Sequence, residues 1–198
     1  MNITTQLIKS GLFLVLLSYG LHAESVSSES DLHHSELSTH KGFYIEPKLS
    51  YTLGETVSHG TSTIKGDAGY GIGADIGYSF TEYFAVEIDG TYSQSDVTET
   101  TDTGHVEKDK ASFYTYGMNT VFTYPMHNHF ILLGKLGYGA EYEDLGDLDI
   151  SGTEHGATWA AGIEYSFNPH VEVSLEYEGA DIRSARGDSI QFGLIYKF

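Results

Sequence analysis

The chain has 198 residues and no cysteine, so it has no disulfide framework, and any metal site would have to rest on histidine and carboxylates. Cations are scarce too. Ten Lys and Arg face 28 Asp and Glu, for a formal net charge of -18, which excludes the clustered phosphate contacts a nucleic-acid partner requires. Proline occurs 3 times and tryptophan once. Long apolar runs are missing as well: the uninterrupted run near the start is far shorter than the ~20 residues of a membrane-spanning helix. What is abundant is glycine, at 23 residues, with 15 Tyr and 10 Phe. Glycine weakens helices while Tyr and Phe favour strands, so the composition points to β structure.

Residues 1–23 read as a secretory signal peptide, with Lys9 as the positive charge, Gly11 to Leu17 as the apolar stretch and Leu21-His22-Ala23 before a cleavage site at Glu24. Residues 24–41 are rich in Ser, Glu and His and poor in large apolar side chains, as in a flexible acidic leader. His33, His34 and His40 in it read as a solvated tail rather than a metal site.

From Gly42 onward, about ten residues of alternation followed by a polar break recur eight times, predicting strands over 42–53, 67–80, 84–96, 110–124, 130–142, 155–167, 171–182 and 189–198. Short breaks (81–83, 125–129, 168–170) alternate with long ones (54–66, 97–109, 143–154, 183–188), so one end carries tight turns and the other loops. One face of each strand is apolar: Ile72, Ile76, Tyr78 and Phe80 on the second, Leu132, Leu136 and Tyr138 on the fifth, Ile190, Phe192, Leu194, Tyr196 and Phe198 on the last, where Ile195 is the exception on the polar side. The opposite faces are small or charged, as in Gly69, Gly71, Gly73, Asp75 and Gly77, and cannot form a dry core. Eight strands enclose a space just wide enough for side chains, so the cramped glycine side lies inside and the aromatic side outside. Some thirty large apolar side chains, each worth ~1.5–3 kcal/mol when removed from water, then need lipid as their cover. A closed barrel also leaves no unpaired edge in the bilayer. Tyr and Phe gather near both strand ends, as two interfacial girdles.

These residues resemble the small eight-stranded outer-membrane β-barrels of the OmpA/OmpX type. The carriers are the signal peptide, the strand Gly69-Tyr-Gly-Ile-Gly-Ala-Asp-Ile-Gly-Tyr-Ser-Phe80, the repeated Tyr-x-Phe strand ends and the closing Tyr196-Lys197-Phe198. The resemblance implies an all-β, antiparallel up-and-down transmembrane barrel over residues 42–198, with periplasmic turns and surface loops. It further implies a Gram-negative outer-membrane location, and Tyr196 and Phe198 as the signal read by the barrel assembly machinery.

Strand parity turns Glu46, Lys48, Asp75, Glu87, Asp89, Lys135, Glu141, Glu164, Glu172 and Glu176 into the barrel. Isolated charges are costly there, so Lys48 and Lys135 are expected to pair with several of the acids as a polar plug. The same charges would also suit a narrow, gated ion path. A lipid-modifying enzyme needs a nucleophile beside a histidine; Ser151, Glu154 and His155 are the weak candidates, and neither an enzyme nor a cofactor is expected. The acidic stretch Glu143 to Asp149 lacks the spacing of a recognised calcium loop. Expected partners are membrane lipids, lipopolysaccharide, whose phosphates Arg183 and Arg186 would touch, and a surface ligand held by the loops.

Overall fold

A computed structural model of the chain describes residues 41–59, 62–101, 104–127, 129–145 and 150–198. The predicted signal peptide and all of the leader but Lys41 lie outside the described residues, as do residues 146–149 of the acidic stretch.

Eight strands form a closed ring: β1 (Gly42–Thr52), β4 (Gly69–Thr81), β5 (Phe84–Thr100), β6 (Val106–Pro125), β7 (Phe130–Leu145), β8 (Ile150–Asn168), β9 (Val171–Ala180) and β10 (Ser189–Lys197). Every neighbouring pair is antiparallel, and β1 pairs with β10 to close the ring, with Leu49 opposite Phe192. The two remaining strands, β2 (Thr56–His59) and β3 (Ser62–Gly66), form a hairpin whose β3 adds to the far end of β5.

Alternation along each strand sets the two faces. Leu49, Ile72, Ile76 and Ile88 are 60–64% exposed, whereas Glu46, Asp75 and Glu87, on the same strands but of opposite parity, are 0–2% exposed. A water-soluble barrel would have these classes reversed. The outward aromatics pair across strands into the two expected girdles. At the tight-turn end Phe43 meets Tyr78 at 4.9 Å and Phe130 meets Tyr165 at 5.1 Å; at the loop end Tyr51 meets Tyr70 at 5.2 Å, Tyr92 meets Tyr114 at 4.9 Å and Trp159 meets Tyr177 at 5.7 Å.

Three of the four long breaks are not loops throughout. Residues 54–66 contain the β2–β3 hairpin, while β5, β6, β7 and β8 run on past the outer girdle into 97–100, 106–109, 143–145 and 150–154. Apolar residues are sparse in these stretches, so alternation does not mark them, although Ile64 and Val97 turn inward. Thr98, Thr100 and Thr153 favour extended backbone there, and the pairing continues ladders already formed below.

A few apolar side chains also stand among the inward residues. Tyr44, Ala85, Val121 and Ile195 are buried together toward the tight-turn end, and Ile64, Val97, Ala111, Phe113 and Ala185 toward the loop end. Ile195, the exception in the last strand's pattern, is a member of the first cluster.

Candidate functional site

The interior charges converge on the waist of the barrel. Lys135, on β7, extends its ammonium to carboxylates on four other strands: Glu87 Oε1 at 2.7 Å, Glu176 Oε2 at 3.0 Å, Asp75 Oδ2 at 3.2 Å and Glu46 Oε2 at 3.9 Å. Lys48 joins through Asp75 Oδ1 at 2.7 Å. The cage extends through neutral donors, because Tyr44 donates to Glu87 Oε2 at 2.8 Å and the Ser174 hydroxyl donates to Glu46 Oε1. Both lysines are 5% exposed. Such ions are tolerable only when paired and hydrogen-bonded, which this arrangement provides. Glu46, Asp75 and Glu87 bring carboxylate oxygens within 4.8 Å of one another, a set that would suit a hard cation; the Lys135 ammonium lies within ion-pair distance of all three.

Glycine makes the crossing possible. Gly193 lies beside this cage, and a Cβ there would come within 1.9 Å of Glu46 Oε1. At Gly77 an added Cβ would meet the Tyr44 ring at 2.1 Å.

The other inward residues divide between the two ends. Toward the turns, Lys197 Nζ holds Glu172 Oε2 at 2.7 Å, while Glu164 is buried opposite Ser174 without an ion pair among the described residues. Toward the loops, Asp89 accepts from Asn119 Nδ2 at 2.9 Å, and Thr158 donates to Asn119 Oδ1 at 3.0 Å. Asp89, Asn119, Thr158, Glu178 and Arg186 are among the residues around a cavity of about 20 Å³, room for about one water. Glu141 receives Arg186 Nε at 2.6 Å.

That last contact overturns the expectation that Arg186 reaches lipid phosphates. Residues 184–186 of the final loop fold into the mouth, where Arg186 is 3% exposed and also approaches Glu178 Oε1 at 3.5 Å. Burial disfavours its charge, but Glu141 and Glu178 outweigh that and hold its pKa above the ordinary arginine range. Three backbone bonds of 2.9 Å keep the loop in place, from Leu53, Gly54 and Glu55 to Asp188, Arg186 and Ala185. Gly66 permits the approach, since a Cβ there would lie 1.9 Å from the Ala185 carbonyl oxygen. Arg183 stays exposed.

The profile of the outer membrane protein beta-barrel domain matches residues 13–198. The chain belongs to that family. Solved structures place the fold beside other family-sized barrels. The outer membrane protein OprG from Pseudomonas aeruginosa aligns at 14% identity with a TM-score of 0.63, covering 81% of this chain and 98% of that one. Neisserial surface protein A aligns at 16% identity and a TM-score of 0.54, covering 79% and 97%. Ail, the attachment invasion locus protein of Yersinia pestis, in a complex with the heparin analogue sucrose octasulfate, aligns at 16% identity and 0.51, covering 80% and 100%. At such identities the likeness is one of fold. No curated protein matches the chain.

Of the ten residues that parity turns inward, the structure brings together Glu46, Lys48, Asp75, Glu87, Lys135 and Glu176 and leaves Asp89, Glu141, Glu164 and Glu172 in separate groups. The expected set omits Tyr44, Glu178 and Arg186. Tyr44 and Glu178 have inward parity and were legible by that test; Arg186 lies in a loop, where parity has no meaning. Ser151, Glu154 and His155 are all exposed on β8, with Glu154 of opposite parity to the other two, so they do not converge. Tyr196 and Phe198 sit outward on the turn-side girdle, rings 5.2 Å apart.

Proposed function

We propose that this outer-membrane barrel is a closed, non-enzymatic body with a structural or surface-interaction role, its lumen filled by a charged plug and its specificity carried by the surface loops. The single observation that supports this is the Lys135 ammonium bound to carboxylates from β1, β4, β5 and β9, which ties five strands across the lumen. The reading includes export through a cleaved signal peptide, lipid and lipopolysaccharide around the wall, and recognition of Tyr196 and Phe198 by the assembly machinery.

A narrow ion path is the second reading, and one observation favours it. Among the described residues, the inward carboxylates of Glu46, Asp75, Glu87, Asp89, Glu141, Glu143, Glu164, Glu172, Glu176 and Glu178 outnumber the inward cations Lys48, Lys135, Arg186 and Lys197, an excess that would draw cations. Planar-bilayer recording separates the two. The plug predicts no discrete conductance from the purified barrel, and reproducible single-channel steps that disappear in Lys135→Met would replace it with the channel.

A further inference from the structure

Arg186 is held at the outer mouth as a bound cation would be. The acids it meets are on ring strands, Glu141 on β7 and Glu178 on β9, whereas Arg186 itself is on the loop between β9 and β10. Its Nε donates to Glu141 Oε2 at 2.6 Å, and its Nη2 lies 3.5 Å from Glu178 Oε1. Asp89, Asn119 and Thr158 line the adjoining cavity from β5, β6 and β8, and Arg186 is the only cation around it among the described residues. This occupant does not saturate the site. Glu141 Oε1 is buried without a hydrogen-bond partner among the described residues, as is Arg186 Nη1, and the two residues are 2% and 3% exposed. An orphaned carboxylate oxygen at that depth is costly, and a ligand with further N–H donors would satisfy it.

The spacing of the acids selects the kind of cation. A hard metal ion needs several oxygens converging on one point. Among the described residues the one such group is Glu46, Asp75 and Glu87 at the waist, and Glu141, Glu178 and Asp89 do not converge in that way. Glu141 and Glu178 are instead bridged by a planar fork of nitrogens, the geometry a guanidinium supplies. We infer that the outer mouth is a binding site for small guanidino or primary-amine cations, which Arg186 of the last loop fills as a tethered competitor. The acidic lining raises the local concentration of such cations. Arg186 is a removable competitor because the loop backbone keeps contacts of its own: Leu53, Gly54 and Glu55 donate to residues 188, 186 and 185, and Ala185 packs in the upper apolar cluster. The side chain can therefore leave while the loop stays near. Lys135 has no such freedom, since it projects from a ring strand and is held by four carboxylates. The inference goes beyond the plug, adding a soluble ligand at the mouth while the waist stays shut.

The test titrates ethylguanidinium, which replaces the atoms that Arg186→Ala removes, into the micelle-bound barrel. Wild type, Arg186→Ala and Arg186→Ala/Glu141→Gln are compared by the NMR shifts of the Gly139, Glu141 and Glu178 amides, with unheated gel mobility as the check on folding. Emptying the site is expected to tighten binding at least about ten-fold over wild type, because the competent fraction rises. Adding Glu141→Gln is expected to abolish saturable shifts. Wild type is expected to bind at higher concentration, with the Arg186 Nε–H signal moving as the side chain is displaced. Equal shifts with tetramethylammonium, which carries the charge but no N–H, overturn the inference by making the mouth a diffuse cation trap. So does saturable binding by Arg186→Ala with wild type silent at about a hundred-fold higher concentration, which makes Arg186 a fixed part of the wall. Absence of saturable binding to folded Arg186→Ala overturns it as well. Should Arg186→Ala not fold, wild type decides alone: an Nε–H signal moved by ethylguanidinium and not by tetramethylammonium supports the site, and an unmoved signal overturns it.

Discussion

The waist of the barrel and its two mouths differ in the balance of ionic and apolar contacts. At the waist, one ammonium is shared among four carboxylates contributed by strands all round the ring. Toward each mouth a small apolar cluster accompanies a single ion pair, Tyr44 and Ile195 with Lys197–Glu172 below and Phe113 and Ala185 with Arg186–Glu141 above. The strength of an ion pair depends on how dry it is, because the Coulomb energy rises as water is excluded. Apolar layers above and below the cage therefore raise what the cage contributes, and they also raise the cost of breaking it. The mouths differ from each other as well. The lower one is built from ring strands alone, whereas the upper one borrows Ile64 from the β2–β3 hairpin and Ala185 from the last loop.

Breaking the waist should have the largest effect. Lys135→Met leaves Glu46, Asp75, Glu87 and Glu176 to share only Lys48, and loss of one member of a buried ion cluster costs about 3–5 kcal/mol. The expected result is a large fall in the urea midpoint of the micelle-bound barrel, measured by the loss of the unheated gel band. Adding Glu87→Gln and Glu176→Gln should recover much of that loss, because the variant then has fewer unpaired charges. An unchanged midpoint in Lys135→Met would mean that water already screens the cage, and the contrast with the mouths would fail.

A smaller and more local effect is expected at the upper mouth. Arg186→Ala removes a charge-assisted hydrogen bond of about 1.5–3 kcal/mol, but from a loop and not from the ring. Amide exchange at Leu53, Gly54 and Glu55, whose N–H groups donate to residues 185, 186 and 188, should speed up about ten- to hundred-fold. Exchange at Lys135 and Glu176 should not change. Equal acceleration at the waist would show that the two regions open as one unit.

This division also explains what could be read before the fold was seen. Period-two alternation names the eight ring strands and the inward acids because a strand's parity admits only two answers, and Gly69 to Gly77 show which side is cramped. The Lys135 cage follows from parity in its membership but not in its geometry: which acids the ammonium reaches depends on the stagger between β7 and strands on the other side of the ring, and no local pattern encodes that. The mouths were less legible. Tyr44 and Ile195 look like exceptions until the ring brings them together, and Arg186 lies in a segment whose only signal is a charge. The β2–β3 hairpin and the extended β5 to β8 were hidden for another reason, since single apolar residues such as Ile64 and Val97 stand among mostly polar neighbours and set up no alternation.

The finest difference between the regions is in proton linkage at the outer end. Glu143, one residue beyond the girdle Tyr142, is half-buried, and its carboxyl is pushed up to about 7, first by burial and then by the neighbouring charge of Glu141. Because the folded value lies above the ordinary carboxylate value, the fold favours the protonated form. The stabilisation this brings is complete below the ordinary carboxylate range and is lost as pH rises through about 7. The rungs joining Glu143 to Phe113 and Gly152 should thus tighten between pH 8 and pH 6. Solvent screening keeps the effect small, so exchange of these amides, corrected for intrinsic rate, should slow by only about two- to five-fold. Glu143→Gln, neutral at every pH, should hold them at the slow limit across that range. If the variant kept the wild-type slope, the proton would belong to a group other than Glu143.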